Sequence, residues 1–357
     1  MEFGVFIGAH NLGHGRDESQ LFADITEQAV IADRLGFDVV WLPEHHFNDY
    51  NLCPDPLQLA VRIFERTERI RVGCAVVILR DHHPLQLAGR IAQLDVLYPG
   101  RFELAVGRGS SGYESVRLER EMDIETSRAH FLEHLEVMTK GWRNDHDWNH
   151  DGRFWRFPDV TVLPRPVTRP HPSLWLSAVT PWSIHGQVHN CAQLGVPAKI
   201  ITSPFRNPFG FLAEGYQQFL VALGETGIDR ADARFAVNRT VFISDSPDEV
   251  DQAMQDVLRI HRGLYMQLEN HEVYVDGKIQ VGPVEHEMGA DEVVANVPFG
   301  NPAWVRSQVA PYVELGVDHL SCYFDYLSDH RRIVTAMTCF AAEVIDAFRP
   351  TSQECSA

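Results

Sequence analysis

The residue types best suited to acid–base chemistry follow a short apolar run, Val39–Leu42, in the order Pro43-Glu44-His45-His46. Proline cannot donate to a sheet ladder, so Pro43 marks the end of the predicted strand. An imidazole with an ordinary pKa near ~6.5 can give or take a proton at neutral pH. Adjacent residues of an extended chain point in opposite directions, so only one of His45 and His46 is expected to face a site. These residues alone leave open which of the two does.

Polar clusters also follow other apolar runs of the chain. They are Gly8-Ala9-His10-Asn11, Arg80-Asp81-His82-His83, Gly107-Arg108-Gly109-Ser110, Thr180-Pro181-Trp182-Ser183 and Thr202-Ser203. If the runs are parallel strands, their carboxyl ends meet at one edge, and the clusters should form one site.

Two kinds of site are compatible with these clusters. A catalytic metal favours His-x-His on one strand, which sets both rings on one face, whereas this chain has His45-His46. A phosphate site uses Arg108, flanked by glycines, and Ser183 at a predicted helix start, where backbone amides and the helix dipole favour an anion. The phosphate site is preferred and no metal ligand is assigned. The acidic, histidine-rich run 145–151 is interpreted as a solvated loop.

Eight apolar segments alternate with helical patterns along the chain. The predicted strands are 3–8, 39–42, 70–79, 101–106, 173–178, 198–202, 235–243 and 319–324. The alternation predicts an α/β fold with a parallel sheet, and eight units predict a closed (β/α)8 TIM barrel. An open doubly wound sheet is the second choice, because no G-x-G-x-x-G follows an early strand. Residues 1–350 should form one domain with insertions near 144–172 and 269–300, followed by a flexible tail at 351–357.

Composition restricts the class of partner. The 357 residues carry a net charge of −18, which argues against nucleic acid or an anionic membrane, since both require a basic face. Six cysteines without a C-x-x-C pair fit a reduced, cytoplasmic protein. No signal-like start and no apolar stretch of ~18 residues is present.

A set of motifs covers nearly the whole chain. It comprises Gly36-Phe-Asp-x-x-Trp-Leu-x-Glu-His-His-Phe47, Val72-Gly-x-Ala75, His83-Pro84, Gly100-Arg-Phe102, Arg108-Gly109, Ser127-Arg128-Ala129 and Gly316-Val-Asp318. With these motifs the chain resembles the bacterial luciferase-like flavin monooxygenases, and the luciferase α subunit in particular. The family has a TIM-barrel fold, in agreement with the count of strands.

The resemblance implies roles for individual residues. His45 is the expected catalytic histidine, and Glu44 either orients it or forms a structural salt bridge. Arg108, Arg128 and Ser183 are the expected ligands of the flavin phosphate, although the segment from Ser183 to Gly195 is about four residues longer than usual. Ala75-Val76 matches a peptide that is cis in the family and packs beside the flavin ring. His83 falls at a family histidine whose role is less clear.

Gly107 stands where luciferase has a reactive cysteine beside the flavin. The missing side chain is expected to widen the pocket and admit a bulkier substrate. The insertion 269–300 corresponds to a mobile lid in the family and diverges strongly here, so the substrate should be selected there.

The function that the resemblance implies is a two-component monooxygenase. Reduced FMN comes from a separate NAD(P)H flavin reductase, O2 adds to give a flavin 4a-hydroperoxide, and one oxygen enters a small organic substrate. Light emission is not expected. The chain is expected to form a homodimer or a heterodimer. The alternatives are a deazaflavin-dependent oxidoreductase, a non-catalytic partner subunit like the luciferase β chain, and a metal-dependent barrel hydrolase. The retained His45, Arg108 and Arg128 argue against a non-catalytic subunit.

Overall fold

Eight parallel strands close into a barrel in a computed structural model that describes residues 1–13, 15–205, 207–268, 273–285, 287, 289–327 and 329–349. The strands are β1 Glu2–Phe6, β2 Val39–Leu42, β3 Arg71–Ile78, β4 Phe102–Gly107, β5 Ser173–Ser177, β6 Lys199–Thr202, β7 Arg234–Thr240 and β8 His319–Tyr323. Each pairs with the next along the chain, and β8 pairs with β1. The prediction of a (β/α)8 barrel is confirmed.

Both faces of the barrel strands are buried, which explains why the strands are continuous apolar runs and do not alternate with polar residues. In β2, Val39 and Trp41 point into the barrel, while Val40 and Leu42 pack against the surrounding helices. The barrel interior is filled by a separate apolar cluster that includes Trp41, Trp175 and Ile201. The barrel is therefore a packed core, and a ligand must bind above it.

Helices follow the barrel strands, and several of them begin at polar caps or end at glycines. They are Glu18–Leu35, Pro56–Phe64, Pro84–Leu97, Gly112–Arg117, Ile124–Arg143, Pro181–Leu194, Phe209–Thr226, Pro247–Leu268, Ala290–Asn296, Pro302–Leu315 and His330–Phe340, the last continuing through a π-helical turn, Ala341–Ile345, to Asp346–Phe348. Asp17 and Asp123 accept hydrogen bonds from first-turn amides, and Gly36 and Gly316 end helices in the left-handed conformation. Among the described residues no helix is both long and apolar enough to cross a membrane.

The insertion 144–172 is more regular than its composition indicates. Trp148–Asp151 and Arg156–Val160 form an antiparallel hairpin, with Trp148 and His150 buried and Asn149 and Asp151 exposed. His150 is paired with Glu133, 3.1 Å away. The interpretation of 145–151 as a solvated loop is therefore wrong for this strand, because alternate side chains pack against the barrel helices.

The insertion 269–300 holds two small sheets in its described part. Tyr274–Val275 pairs with Lys278–Ile279, and Phe299–Gly300 pairs with Phe242–Ile243. The predicted strand 235–243 thus divides into β7 and a short strand outside the barrel. The predicted tail 351–357 lies outside the described residues.

Candidate active site

A cavity of about 1020 Å³ opens at the carboxyl ends of the barrel strands. It is lined by every residue that the sequence assigned to the site: Glu44, His45, Ala75, Val76, Gly107, Arg108, Arg128 and Ser183. These residues come from the ends of three strands and from two helices, so the closed barrel alone brings them together. The volume is at the upper end of the roughly 300–1,000 Å³ typical of ligand pockets, which leaves room for a cofactor and a second molecule.

The two adjacent histidines have different positions. His45 lines the cavity, and its Nδ1 lies 2.9 Å from Oε1 of Glu114. His46 points away, with Nε2 at 2.9 Å from Oε1 of Glu44. The choice left open by the sequence is therefore decided by geometry in favour of His45.

The buried carboxylate of Glu44 forms several hydrogen bonds, but none of those described joins it to the ring of His45. Its Oε1 accepts hydrogen bonds from His46 and from His82, and its Oε2 accepts one from the amide of Ile78. Burial raises the pKa of Glu44, but the hydrogen bonds from the two histidines outweigh burial and hold the pKa below its ordinary value of 4.5. The role of orienting His45 is thus wrong for Glu44. It ties the ends of β2 and β3 together.

Glu114 takes the role that had been considered for Glu44. It lies on the short helix Gly112–Arg117, which the sequence analysis missed, and it is 1% exposed. Its Oε1 also accepts the amide of His46, and the hydrogen bond from His45 helps to hold the pKa of Glu114 below 4.5 against the opposing effect of burial. The pattern Ser111-x-x-Glu114, a capping-box signature, could have identified this helix.

The peptide between Ala75 and Val76 is cis, as the resemblance implied. Both residues line the cavity, and the side chain of Val76 lies beside Gly107. A Cβ added at Gly107 would lie 2.8 Å from Cγ2 of Val76. The expectation that Gly107 widens the pocket is therefore wrong, because Val76 occupies that space.

Two arginines without carboxylate partners lie at one end of the cavity. Within the described part of the chain neither Arg108 nor Arg128 forms an ion pair or hydrogen bond, although the guanidinium carbon of Arg128 lies 4.9 Å from the ring centre of Trp182. Burial, and then the neighbouring charge of Arg128, lower the pKa of Arg108. Two unpaired like charges are unfavourable unless an anion lies between them, so this end of the cavity fits a phosphate group.

Ser183 lies at the same end but has its own hydrogen bonds. Its Oγ accepts the amide hydrogen of Thr180 and donates to the Thr180 carbonyl, while its amide donates to Oγ1 of Thr180. This capping box begins the helix Pro181–Leu194. Ser183 can contact a phosphate only by giving up one of these bonds, so the two arginines are the stronger candidates.

Several residues of the cavity were not singled out by sequence reasoning. Tyr50 and Tyr323 flank His10, whose Nε2 accepts a hydrogen bond from the Tyr323 hydroxyl and whose Nδ1 donates to the Tyr50 carbonyl. The helix Pro247–Leu268 adds one more group of lining residues, His261, Leu264, Tyr265 and Gln267. Their only signal was helical periodicity, which cannot show that one end of the helix covers a pocket. His83 does not line the cavity and contacts Phe157 instead.

The hairpin 274–279 of the second insertion packs against the loop that follows His45 and His46. The amide of Asp49 donates to the Gly277 carbonyl, and Oδ1 of Asp49 accepts the amide of Ile279. The ring of Tyr274 stacks on Tyr113, with centroids 3.5 Å apart. A second cavity of about 610 Å³ lies between this hairpin and His45. The hairpin borders this second cavity, which also includes His45, while no described residue of the insertion lines the first cavity. Selection of the substrate by this insertion stays a prediction.

Comparison with known proteins identifies relatives of this architecture. The family described as luciferase-like monooxygenase matches residues 1–319. The oxygenase component of a flavin-dependent trigonelline monooxygenase from Acinetobacter baylyi is 24% identical over 361 residues, which span 98% of this chain and 96% of that protein.

Solved structures share the whole fold. The monooxygenase RslO1 from Streptomyces bottropensis has a TM-score of 0.82 at 25% identity, over 98% of this chain and 100% of that one. The oxygenating constituent of 3,6-diketocamphane monooxygenase from Pseudomonas putida, in complex with FMN, has a TM-score of 0.76 at 20% identity, over 98% and 100%. An F420-dependent secondary alcohol dehydrogenase has a TM-score of 0.77 at 18% identity, over 98% and 99%. The last two likenesses show the fold alone.

Proposed function

The chain belongs to the luciferase-like monooxygenases, and on that premise we propose that it is the oxygenase component of a two-component flavin-dependent monooxygenase. It takes reduced FMN from a separate NAD(P)H-dependent flavin reductase and uses O2 to insert one oxygen atom into a small organic substrate. The trigonelline monooxygenase relative, which is itself an oxygenase component, supports the division into two proteins.

The proposal rests on the residues that line a single cavity. Two arginines that have no carboxylate partner among the described residues occupy one end, the Ala75–Val76 peptide lies along the wall, and His45 stands at the end nearer Tyr50. A phosphate monoester carries a charge between about −1.5 and −2 at neutral pH, which Arg108 and Arg128 match. FMN therefore fits the donor set, with Arg108 and Arg128 holding its phosphate and Ala75 and Val76 contacting its ring.

Bound reduced flavin supplies the electrons that activate O2, and the chain's own residues control protons and water. The hydrogen bond from Nδ1 of His45 to Glu114 leaves Nε2 of the neutral ring as the proton acceptor. Nε2 has no partner among the described residues, so it is available to take or hold a proton in the cavity. Apolar and aromatic side chains, including Phe6, Phe205 and Leu264, line the same cavity and limit the water that it can hold.

An anaerobic titration tests the cofactor. Purified protein is mixed with reduced FMN and, in a parallel experiment, with reduced deazaflavin, and binding is followed by flavin absorbance and fluorescence. We expect reduced FMN to bind and deazaflavin to bind more weakly. Tight binding of reduced deazaflavin alone would instead assign the protein to the deazaflavin-dependent oxidoreductases.

A second measurement tests the division into two components. Purified protein with FMN should consume O2, with NAD(P)H as the source of electrons, only after a flavin reductase is added. Enzymatic oxidation of NADH by the protein alone would contradict the proposal. The same sample, measured by light scattering, tests the proposed dimer.

A further inference from the structure

Two histidines and one glutamate form a compact cluster on the outside of the barrel. His185 and His189 lie one turn apart on the helix Pro181–Leu194, and their Nε2 atoms are 2.8 and 2.9 Å from the same atom, Oε2 of Glu225, on the helix Phe209–Thr226. All three ligand atoms lie within 4.8 Å of one another, which holds for no other set of metal-binding side chains in the described residues. We propose that His185, His189 and Glu225 bind a divalent transition-metal ion of the Zn²⁺ class.

The donor set matches what such ions prefer. Zn²⁺ takes imidazole nitrogens and carboxylate oxygens at about 2.0–2.2 Å, with three protein ligands and a water as one common arrangement. Tetrahedral ligands at those distances are ~3.3 Å apart, only about half an ångström more than the present Nε2 to Oε2 separations. Small side-chain rotations are therefore enough to admit an ion in place of the bridging protons.

The two imidazoles are already aligned for joint binding. Their ring centroids are 4.7 Å apart and the ring planes differ by 35°, so both present Nε2 to the same point. Another histidine of this chain looks different: Nε2 of His330 lies 3.4 Å from Glu27, and its Nδ1 lies 3.3 Å from the side-chain amide of Gln28, so its two nitrogens point to separate groups. His189 and Glu225 are exposed and the chain carries a net charge of −18, so an ion can reach the cluster and is attracted to the surface.

The cluster lies behind the candidate active site. Ser183, Gln187 and Asn190 line the cavity. His185 and His189 lie roughly on the opposite side of the same helix, given 100° per residue. A bound ion therefore links the two helices that carry its ligands, and it stabilises the one that begins at the arginine end of the cavity. None of the three ligands lines the cavity, so this site does not depend on the proposed function.

The test uses untagged, full-length protein freed of metal by a chelator. Co²⁺ is added first, because its visible absorption reports coordination, and Zn²⁺ is then used to displace it, with stoichiometry measured by equilibrium dialysis. We expect one ion per chain and a higher midpoint of thermal unfolding in Zn²⁺. His189→Ala and Glu225→Gln should weaken Zn²⁺ binding by at least about tenfold and remove the thermal shift, because each deletes a ligand.

Two controls keep the proposal falsifiable. His330→Ala removes a half-buried histidine that contacts Glu27 and Gln28 and no second histidine, and it should leave the stoichiometry, affinity and thermal shift unchanged. His185→Gln keeps a polar side chain of similar length in case an alanine variant fails to fold. Unchanged Co²⁺ binding in folded His185→Gln or Glu225→Gln, or no binding tighter than about 1 mM in the unsubstituted protein, would overturn the site.

Discussion

The ring of His45 is held by a carboxylate 69 residues further along the chain, with Nδ1 at 2.9 Å from Oε1 of Glu114. The neighbouring histidine, His46, is held by a different carboxylate, Glu44. Because the two rings have different carboxylate partners, the ring orientation and tautomer of His45 are set independently of those of His46. It also makes Glu114 a positioning residue that can be tested apart from Glu44.

Replacing Glu114 should impair turnover more than substrate affinity. Glu114→Gln keeps an oxygen that can accept from His45 but removes the charge, and we expect kcat to fall between about 10- and 100-fold with a small change in KM. Release of hydrogen peroxide per flavin oxidised should rise, because the histidine is less well placed. Glu133→Gln is the matched control, since Glu133 holds His150 outside the cavity. Equal losses in both variants would point to general destabilisation.

Replacing Arg108 should weaken binding of FMN but not of riboflavin. A hydrogen bond to a charged group contributes roughly 1.5–3 kcal/mol, so Arg108→Gln should raise the Kd for reduced FMN by about 10- to 100-fold. Riboflavin lacks the phosphate, so its Kd should change little, which makes it the matched ligand. The midpoint of thermal unfolding without flavin should not fall, because the substitution removes repulsion from Arg128. Equal weakening of FMN binding and riboflavin binding would mean that Arg108 does not bind the phosphate.

Adding a methyl group at Gly107 should destabilise the fold through Val76. Overpacking of this kind costs about 1–3 kcal/mol, and the Cβ of Gly107→Ala would lie 2.8 Å from Cγ2 of Val76. We expect that loss in the free energy of unfolding from denaturant titration, and partial recovery in the double variant with Val76→Ala. Gly224→Ala is the control, because nothing lies within 4 Å of its added Cβ, and helix propensity should make it neutral or stabilising. No recovery in the double variant would mean that Val76 is not the obstacle.

Replacing His134 should reduce the acid sensitivity of the fold. His134 is fully buried, neither ring nitrogen has a partner among the described residues, and burial lowers its pKa well below 6.5. As pH falls below ~6.5 the unfolded histidine binds a proton and the folded one does not, so the free energy of unfolding decreases by up to about 1.4 kcal/mol per pH unit. His130 acts in the same direction, because burial lowers its pKa to about 4.

The measurement compares guanidinium unfolding at about pH 8 and pH 5.5. Between these two pH values, the free energy of unfolding of the unsubstituted protein should fall by about 1 kcal/mol more than that of His134→Leu. His146→Leu, at an exposed position, should leave the pH dependence unchanged. If His134→Leu has the same pH dependence as the unsubstituted protein, the buried ring is not responsible.

Local sequence was sufficient for the barrel and for most of its elements. Val39–Leu42 begins and ends at the predicted residues, because an apolar run that stops at a proline is a property of a short segment. The cavity residues Arg108 and Arg128 were also found from the sequence, since their motifs resemble those of a known family. The hairpin Trp148–Asp151 with Arg156–Val160 was missed, because its polar composition hid the alternation of burial.

Tertiary structure alone decided which side chains pair. Local sequence could place a carboxylate next to His45, and proximity in the chain favoured Glu44. Glu44 instead accepts a hydrogen bond from β3, while Glu114 reaches His45 from the short helix Gly112–Arg117. The cluster of His185, His189 and Glu225 likewise joins two helices. Hydrogen bonds and ion binding depend on distances of a few ångströms, and between residues far apart in the chain those distances are set by barrel closure and helix packing.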